Sequence, residues 1–212
     1  MDVPVSNVTS RRRPGRPSKA EAGDTKAALL DAALRLFAQK GYAGTSIRAI
    51  AREVGLSESV LYAHFAGKQA IYDAAMALAG PQAAGVAIEH APEDPAAFVE
   101  SFAAQVLAAW DTPQSRQVMS LVSRDGLIHD DVLNAGIEDA LERLAEVFGR
   151  WLSERRIRTD LGGPGELAYA LLAPIAHARM LWLHGTATEE QRRRARDRIE
   201  AHAALFARAL TP

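Results

Sequence analysis

Between Thr25 and Leu78 the apolar residues return at helical spacing, and glycines cut the pattern into short pieces. Leu29, Ala33, Leu36 and Phe37 make an i, i+4, i+7, i+8 stripe, which predicts an amphipathic helix stopped by Gly41. Asp31 and Arg35 stand four apart and can pair on its outer side. Thr45 reads as the N-cap of a second helix carrying Ile47, Ile50, Ala51 and Val54, with Gly55 as its stop. Ser57 reads as the cap of a third, in which Leu61 and Phe65 point one way and the small Ser59 and Ala63 the other. Only Gly55 and Leu56 separate the last two, the spacing of a helix-turn-helix whose second helix can enter a DNA major groove. A fourth helix with Ile71, Ala75 and Leu78 runs toward Gly80 and Pro81, where this first domain is expected to end.

The rest of the chain continues in helices. Segments are expected at about 95–110, 113–124, 130–155, 165–184 and 188–210, separated by Asp111, Gly126, Gly162, Gly163, Pro164 and Gly185. No run alternates as a strand does, so the predicted class is all-α. The organisation expected is a basic arm over 1–23, a helix-turn-helix domain over 24–80 and a further helical domain over 81–212. With 48% apolar residues in a chain of 212, a sizeable core is available to each folded part. The longest apolar stretch, 167–183, holds Pro174, His177 and Arg179 and is short for a bilayer span, so no membrane association is expected. The absence of cysteine removes disulfides and thiolate chemistry and suits a reducing, cytoplasmic setting.

A formal net charge of −1 conceals two unlike parts: residues 1–70 carry 11 basic against 6 acidic side chains, and the remainder is acidic. Only the first third is suited to meet a polyanion. Its first residues include Arg11, Arg12, Arg13 and Arg16 in the run RRRPGRP, which resembles a minor-groove AT-hook centred on Gly15, Arg16 and Pro17, with Pro14 where that motif usually has arginine. Two roles stay open for this arm, a minor-groove contact and a solvated tail.

The stretch LLDAALRLFAQKGYAGTSIRAIAREVGLSESVLYAHFAGKQAI resembles the DNA-binding domain of the TetR (tetracycline repressor) family of bacterial transcription factors. The resemblance is carried by the Leu-Phe pair before Gly41, by Thr45, Ile50-Ala51, Gly55-Leu56-Ser57, Leu61-Tyr62, His64-Phe65 and Lys68. It implies a homodimeric regulator of double-stranded DNA whose C-terminal domain binds a small effector and supplies the dimer contact. On that basis Thr45, Tyr62, His64 and Lys68 are expected at DNA phosphates, which orient without reading sequence. Ser57, Glu58, Ser59, Val60 and Ala63 are then left to meet base edges, with Glu58 suited to cytosine N4 and Val60 or Ala63 to a thymine methyl. The chain departs from many relatives at Glu58, Ser59 and Ala63, where Lys or Arg, Gly and an aromatic residue are frequent. Each phosphate candidate has a second role: Tyr62 as packing against the bundle, His64 as a helix-end cap, Thr45 as an N-cap.

In the C-terminal part, Phe102, Val106, Trp110, Met119, Phe148, Leu171, Ile175 and His177 are the candidates for an effector pocket, with Trp151 and Met180 beside them, or else for plain core. Pro174 is expected to kink its helix and open space there. The segment around it is apolar nearly all round and is expected to be buried on more than one side. Ile199, His202 and Phe206 mark a stripe on the last helix and are the candidates for the dimer interface. No metal-ligand spacing, phosphate-binding glycine loop, nucleophile elbow or HExxH pattern occurs, so neither cofactor, metal nor catalytic residue is expected. A ligand-responsive repressor is the leading reading. Alternatives are a DNA-organising protein without effector, and a helical enzyme or carrier with no recognisable catalytic set.

Overall fold

The computed structural model describes residues 19–79, 82–125 and 131–211, and every regular element among them is an α-helix. The basic arm, with Arg11, Arg12, Arg13 and Arg16, lies outside the described residues. Four helices form the N-terminal head: α1 (Lys19–Lys40), α2 (Ile47–Glu53), α3 (Glu58–His64) and α4 (Lys68–Ala79). Six follow: α5 (Gln82–Glu89), α6 (Pro95–Trp110), α7 (Pro113–Arg124), α8 (Asp131–Ser153), α9 (Pro164–Trp182) and α10 (Glu189–Leu210).

Helix ends follow from local chemistry. Gly41 and Gly55 take φ of 74° and 71°, the left-handed turn that lets α1 and α2 stop within one residue. Asp94 and Thr112 each accept from a backbone N–H three residues on and precede a proline in the first turn, which fixes where α6 and α7 begin. Thr188 and Gln191 close a reciprocal capping box at the start of α10.

The structure departs from the expected pattern at three helix starts. α1 begins at Lys19, ahead of Thr25, because Lys19, Ala20, Glu21 and Ala22 are strong helix formers and extend it upstream of the apolar stripe. Ser46, not Thr45, caps α2, its Oγ accepting from Ala49 N–H at 3.1 Å. The short α5 has no counterpart in the apolar pattern: its buried residues, Ala84, Gly85 and Ala87, are too small to mark a stripe.

Two apolar clusters hold the helices together. The lower one joins Leu29, Phe37, Ile50, Leu61 and Ile71 of the head, all fully buried. It also takes in Val118, Met119, Leu121 and Val122 of α7, so the head's core is completed by a helix from later in the chain. The upper cluster packs α5, α6, α8, α9 and α10 around Phe102, Leu144, Phe148, Trp151 and Ile175. Each large side chain so buried contributes about 1.5–3 kcal/mol from lost water contact.

Candidate nucleic-acid interface and apolar cavity

Leu61 (0% exposed) and Phe65 anchor α3 in the lower cluster, leaving Ser57, Glu58, Ser59, Tyr62 and Ala63 exposed on its outer side. That side is slim, as a helix entering a groove must be. Tyr62 projects from it with half its surface in solvent, while Val60 and His64 are half-buried. Ser57 begins α3 without a side-chain cap bond; its Oγ meets Ser59 Oγ at 2.8 Å. Glu58 pairs with Arg48 of α2 at 3.2 Å, which partly neutralises the carboxylate on a side expected to face phosphate. Arg48 and Arg52 are exposed on α2 beside α3 and extend the basic surface. Periodicity singles out neither, since they follow the apolar stripe only as its polar complement.

Two of the expected phosphate ligands are turned inward. Thr45 is buried, and its hydroxyl donates to Gly41 O at 2.9 Å, so Oγ1 is spent inside the turn between α1 and α2. Lys68, half-buried, donates from Nζ to Tyr42 O at 2.7 Å and Thr45 O at 2.9 Å, with the Tyr42 ring 4.1 Å away. Its ammonium thus holds the turn that aims α2. The same turn is held from the other side by α7: Tyr42 N–H donates to Asp125 at 2.9 Å, and Arg124 donates to Ala38 and Gln39 carbonyls at the end of α1.

An apolar cavity of about 170 Å³ lies among α5, α6, α7, α8 and α9. Trp110, Met119, Val122, Ile137, Leu172 and Arg179 are among its lining side chains. Of the expected pocket residues, Trp110, Met119 and Met180 line it, while Trp151 is buried in the upper cluster. Phe102, Val106, Phe148, Leu171 and Ile175 do not: they are fully buried in the upper cluster, because they fill the helix contacts themselves. His177 and Pro174 are exposed on α9, and neither lines the cavity.

Arg179 is the member that periodicity did not single out. It is 8% exposed, its guanidinium lies 4.4 Å from the Trp110 ring, and Nη2 donates to Ser115 Oγ at 3.2 Å. Burial lowers its pKa to about 10, which leaves it protonated at neutral pH. A charge interrupting an apolar helical run was the available signal.

The expected interface stripe faces its own chain. Ile199 is 1% exposed in the upper cluster, His202 Nε2 meets Leu171 O at 3.1 Å, and Phe206 packs on Phe148 at 6.0 Å between ring centroids. α9 is not buried all round either: Tyr169, Ala170, Pro174, His177 and Leu181 are exposed along it, and Leu205 is exposed on the adjoining α10.

A short exposed helix held by a turn after a capped partner, on a head that shares its core with a helical body, defines a helix-turn-helix protein of the two-part, all-helical class. Residues 29–75 match the model for bacterial regulatory proteins of the tetR family. Among curated proteins it is similar to the HTH-type transcriptional regulator AcrR of Shigella flexneri, 30% identical over 107 residues, which are 49% of this chain and 50% of that protein. It is also similar to SrpR of Pseudomonas putida, 29% identical over 128 residues, 57% of this chain and 58% of the relative. The matched stretch therefore spans little more than half the length of these relatives. The crystal structure of NalD, the secondary repressor of the MexAB-OprM multidrug efflux pump in Pseudomonas aeruginosa, shares the fold with a TM-score of 0.65 at 20% identity, over 91% of this chain and 98% of that one. Among the described residues no helix is long and apolar enough to cross a membrane.

Proposed function

We propose that this chain is a ligand-responsive transcriptional repressor that binds a near-palindromic operator as a homodimer in the cytoplasm and is released by a small molecule. The slim outer side of α3 carries this reading: Ser59 and Ala63 leave room for a groove floor, while exposed Tyr62 can donate to a phosphate at its wall. Residues 24–80 act as the reading head and 81–212 as the effector and dimerisation part. Val60 and Ala63 offer methyl contacts, and Ser57 and Ser59 offer hydroxyls that bond either way. Arg48 takes the place that Thr45 and Lys68 leave vacant among the phosphate contacts.

One α3 covers only a half-site, so tight binding requires two, related by the two-fold axis of a dimer. The exposed apolar side of α9 with Leu205 supports that assembly. Control is supported by α7, which supplies Met119 and Val122 to both the cavity and the head's core. The test is selection of bound duplexes from a random pool, followed by footprinting. Recovered sites should show two half-sites about one helical turn apart, and Ser59 or Val60 substitutions should change the preferred bases. Retention of DNA without any shared sequence would sink the operator reading.

A further inference from the structure

Arg48 and Glu58 form an ion pair that joins α2 to α3 on the exposed side of the head. Arg48 Nε lies 3.2 Å from Glu58 Oε1, and among the described residues neither side chain has another ion or hydrogen-bond partner. The seating of α3 on α2 does not depend on this pair, because Ile50 and Ala51 of α2 and Leu61 of α3 are buried together in the lower cluster. With the side chain of Arg48 85% exposed and that of Glu58 45% exposed, such a pair adds little to stability. Its place is the open groove between the two helices, which Arg52 and Ser57 line as well. A lone glutamate on this side would be repelled by DNA phosphates. A guanidinium beside it offsets that charge and, once water is excluded from the interface, holds the carboxylate more strongly than it does in solvent.

We propose that Arg48 is a positioning residue that holds Glu58 against one cytosine of each half-site, so that the two side chains set one base of the operator as a unit. The inference rests on the operator reading above and adds to it a base and the residue that orients its reader. An ionised carboxylate accepts hydrogen bonds and donates none. In the major groove cytosine offers the N4 donor alone, adenine sets its N6 donor beside the acceptor N7, and guanine and thymine present acceptors. A carboxylate is therefore matched to cytosine and repelled, in part or wholly, by the other three. Oε1 is turned to Arg48, which leaves Oε2 for the N4 proton. Because Arg48 meets Glu58 through Nε, its terminal N–H groups remain for the phosphate contact assigned to it above.

The test is selection from a random pool with the full chain and with its Glu58→Gln, Arg48→Ala and double variants, followed by affinities on duplexes that differ at the base concerned. Parent sites should carry a cytosine at one position of each half-site, favoured about tenfold over the other bases. Glu58→Gln should move that position to adenine, whose N6 and N7 pair with an amide, and leave the rest of the site as it was. Arg48→Ala should weaken binding to every sequence and cut the cytosine preference to about threefold or less at that position. Arg48→Lys, which keeps the charge, should restore part of the preference. In the Glu58→Gln background Arg48→Ala should weaken binding and change no preference, because Arg48 acts on the base through the carboxylate. Both residues are exposed, so the variants should melt with the parent; if Arg48→Ala does not fold, Arg48→Gln takes its place. A shared site with no position moved by Glu58→Gln overturns the proposal and keeps the operator. A preference that Arg48→Ala changes equally in both backgrounds makes Arg48 a reader in its own right and overturns it too. Recovery of no shared sequence removes the operator reading and the proposal together.

Discussion

Lys68 and Asp125 hold one peptide turn from opposite sides, one through the carbonyls of Tyr42 and Thr45 and the other through the N–H of Tyr42. Lys68→Ala should therefore weaken operator binding by loosening the approach to α2, with little change in the dependence of log affinity on log salt. A phosphate ligand would change that slope by about one unit, so a flattening of that size returns Lys68 to the phosphate contacts. Gly41 is the other fixed point, since its φ is 74° and a Cβ there would stand 3.1 Å from Asp125 Oδ1. Gly41→Ala should cost about 1–2 kcal/mol in urea unfolding. Asp111 links the α6–α7 corner to α10: burial raises its pKa, but hydrogen bonds from Arg192 and Arg116 outweigh this and leave it lowered. Its folded-state value lies below the unfolded one, so its contribution is present above the ordinary carboxylate range and is lost as pH falls through the folded value. Asp111→Asn should thus destabilise by ~1–3 kcal/mol near neutrality, and the gap from the parent protein should close below about pH 4; a constant gap would contradict the ion-pair account. At this scale the sequence reveals residue type better than aim. Thr45 and Ser46 are both favoured cap types, and the path of the turn decides that Ser46 caps while Thr45 is buried.

α7 touches both the ligand-sized cavity and the head, and its bounds of Pro113 and Arg124 agree with the sequence expectation because a threonine cap and a first-turn proline leave little choice. Its role was not legible. Periodicity shows that Val118, Met119, Leu121 and Val122 seek burial, yet it does not show that they are buried against α1 and α4. The packing has a consequence for control. A ligand acts only through different affinity for two arrangements, and among the described residues α7 both lines the cavity and, through Arg124 and the Asp125 that follows it, holds the α1–α2 turn. The double variant Arg124→Ala/Asp125→Ala should bind a ligand of the cavity as before while that ligand's effect on operator affinity shrinks severalfold, on the order of 1 kcal/mol of coupling. Measuring each affinity with the other partner absent and saturating gives that coupling directly. An unchanged value would move transmission to α4 or to the dimer contact.

For the whole molecule, burial separates two apolar sides that the sequence pattern could not tell apart. The α10 stripe through Ile199 packs against its own chain, whereas Tyr169 (64% exposed) and Leu205 (60% exposed) stand on α9 and α10 with nothing over them in the single chain. A helix period reports which residues share a side; it carries no record of whether that side meets the same chain or a second copy. Apolar area left open on two adjoining helices is what a two-fold contact requires, since each residue then meets the same surface on the partner. The two sides predict opposite outcomes for the same chemical change. Ile199→Asp places an unpaired charge in the core and should lose several kcal/mol, enough to abolish cooperative melting. Tyr169→Asp and Leu205→Asp should keep the helical circular dichroism and the melting transition of the parent but sediment as monomers, and their operator binding should fall by orders of magnitude while weak non-specific binding persists. Intact dimers from both surface variants would place the contact elsewhere, and a folded monomer from Ile199→Asp would restore the stripe that the chain's own core now claims.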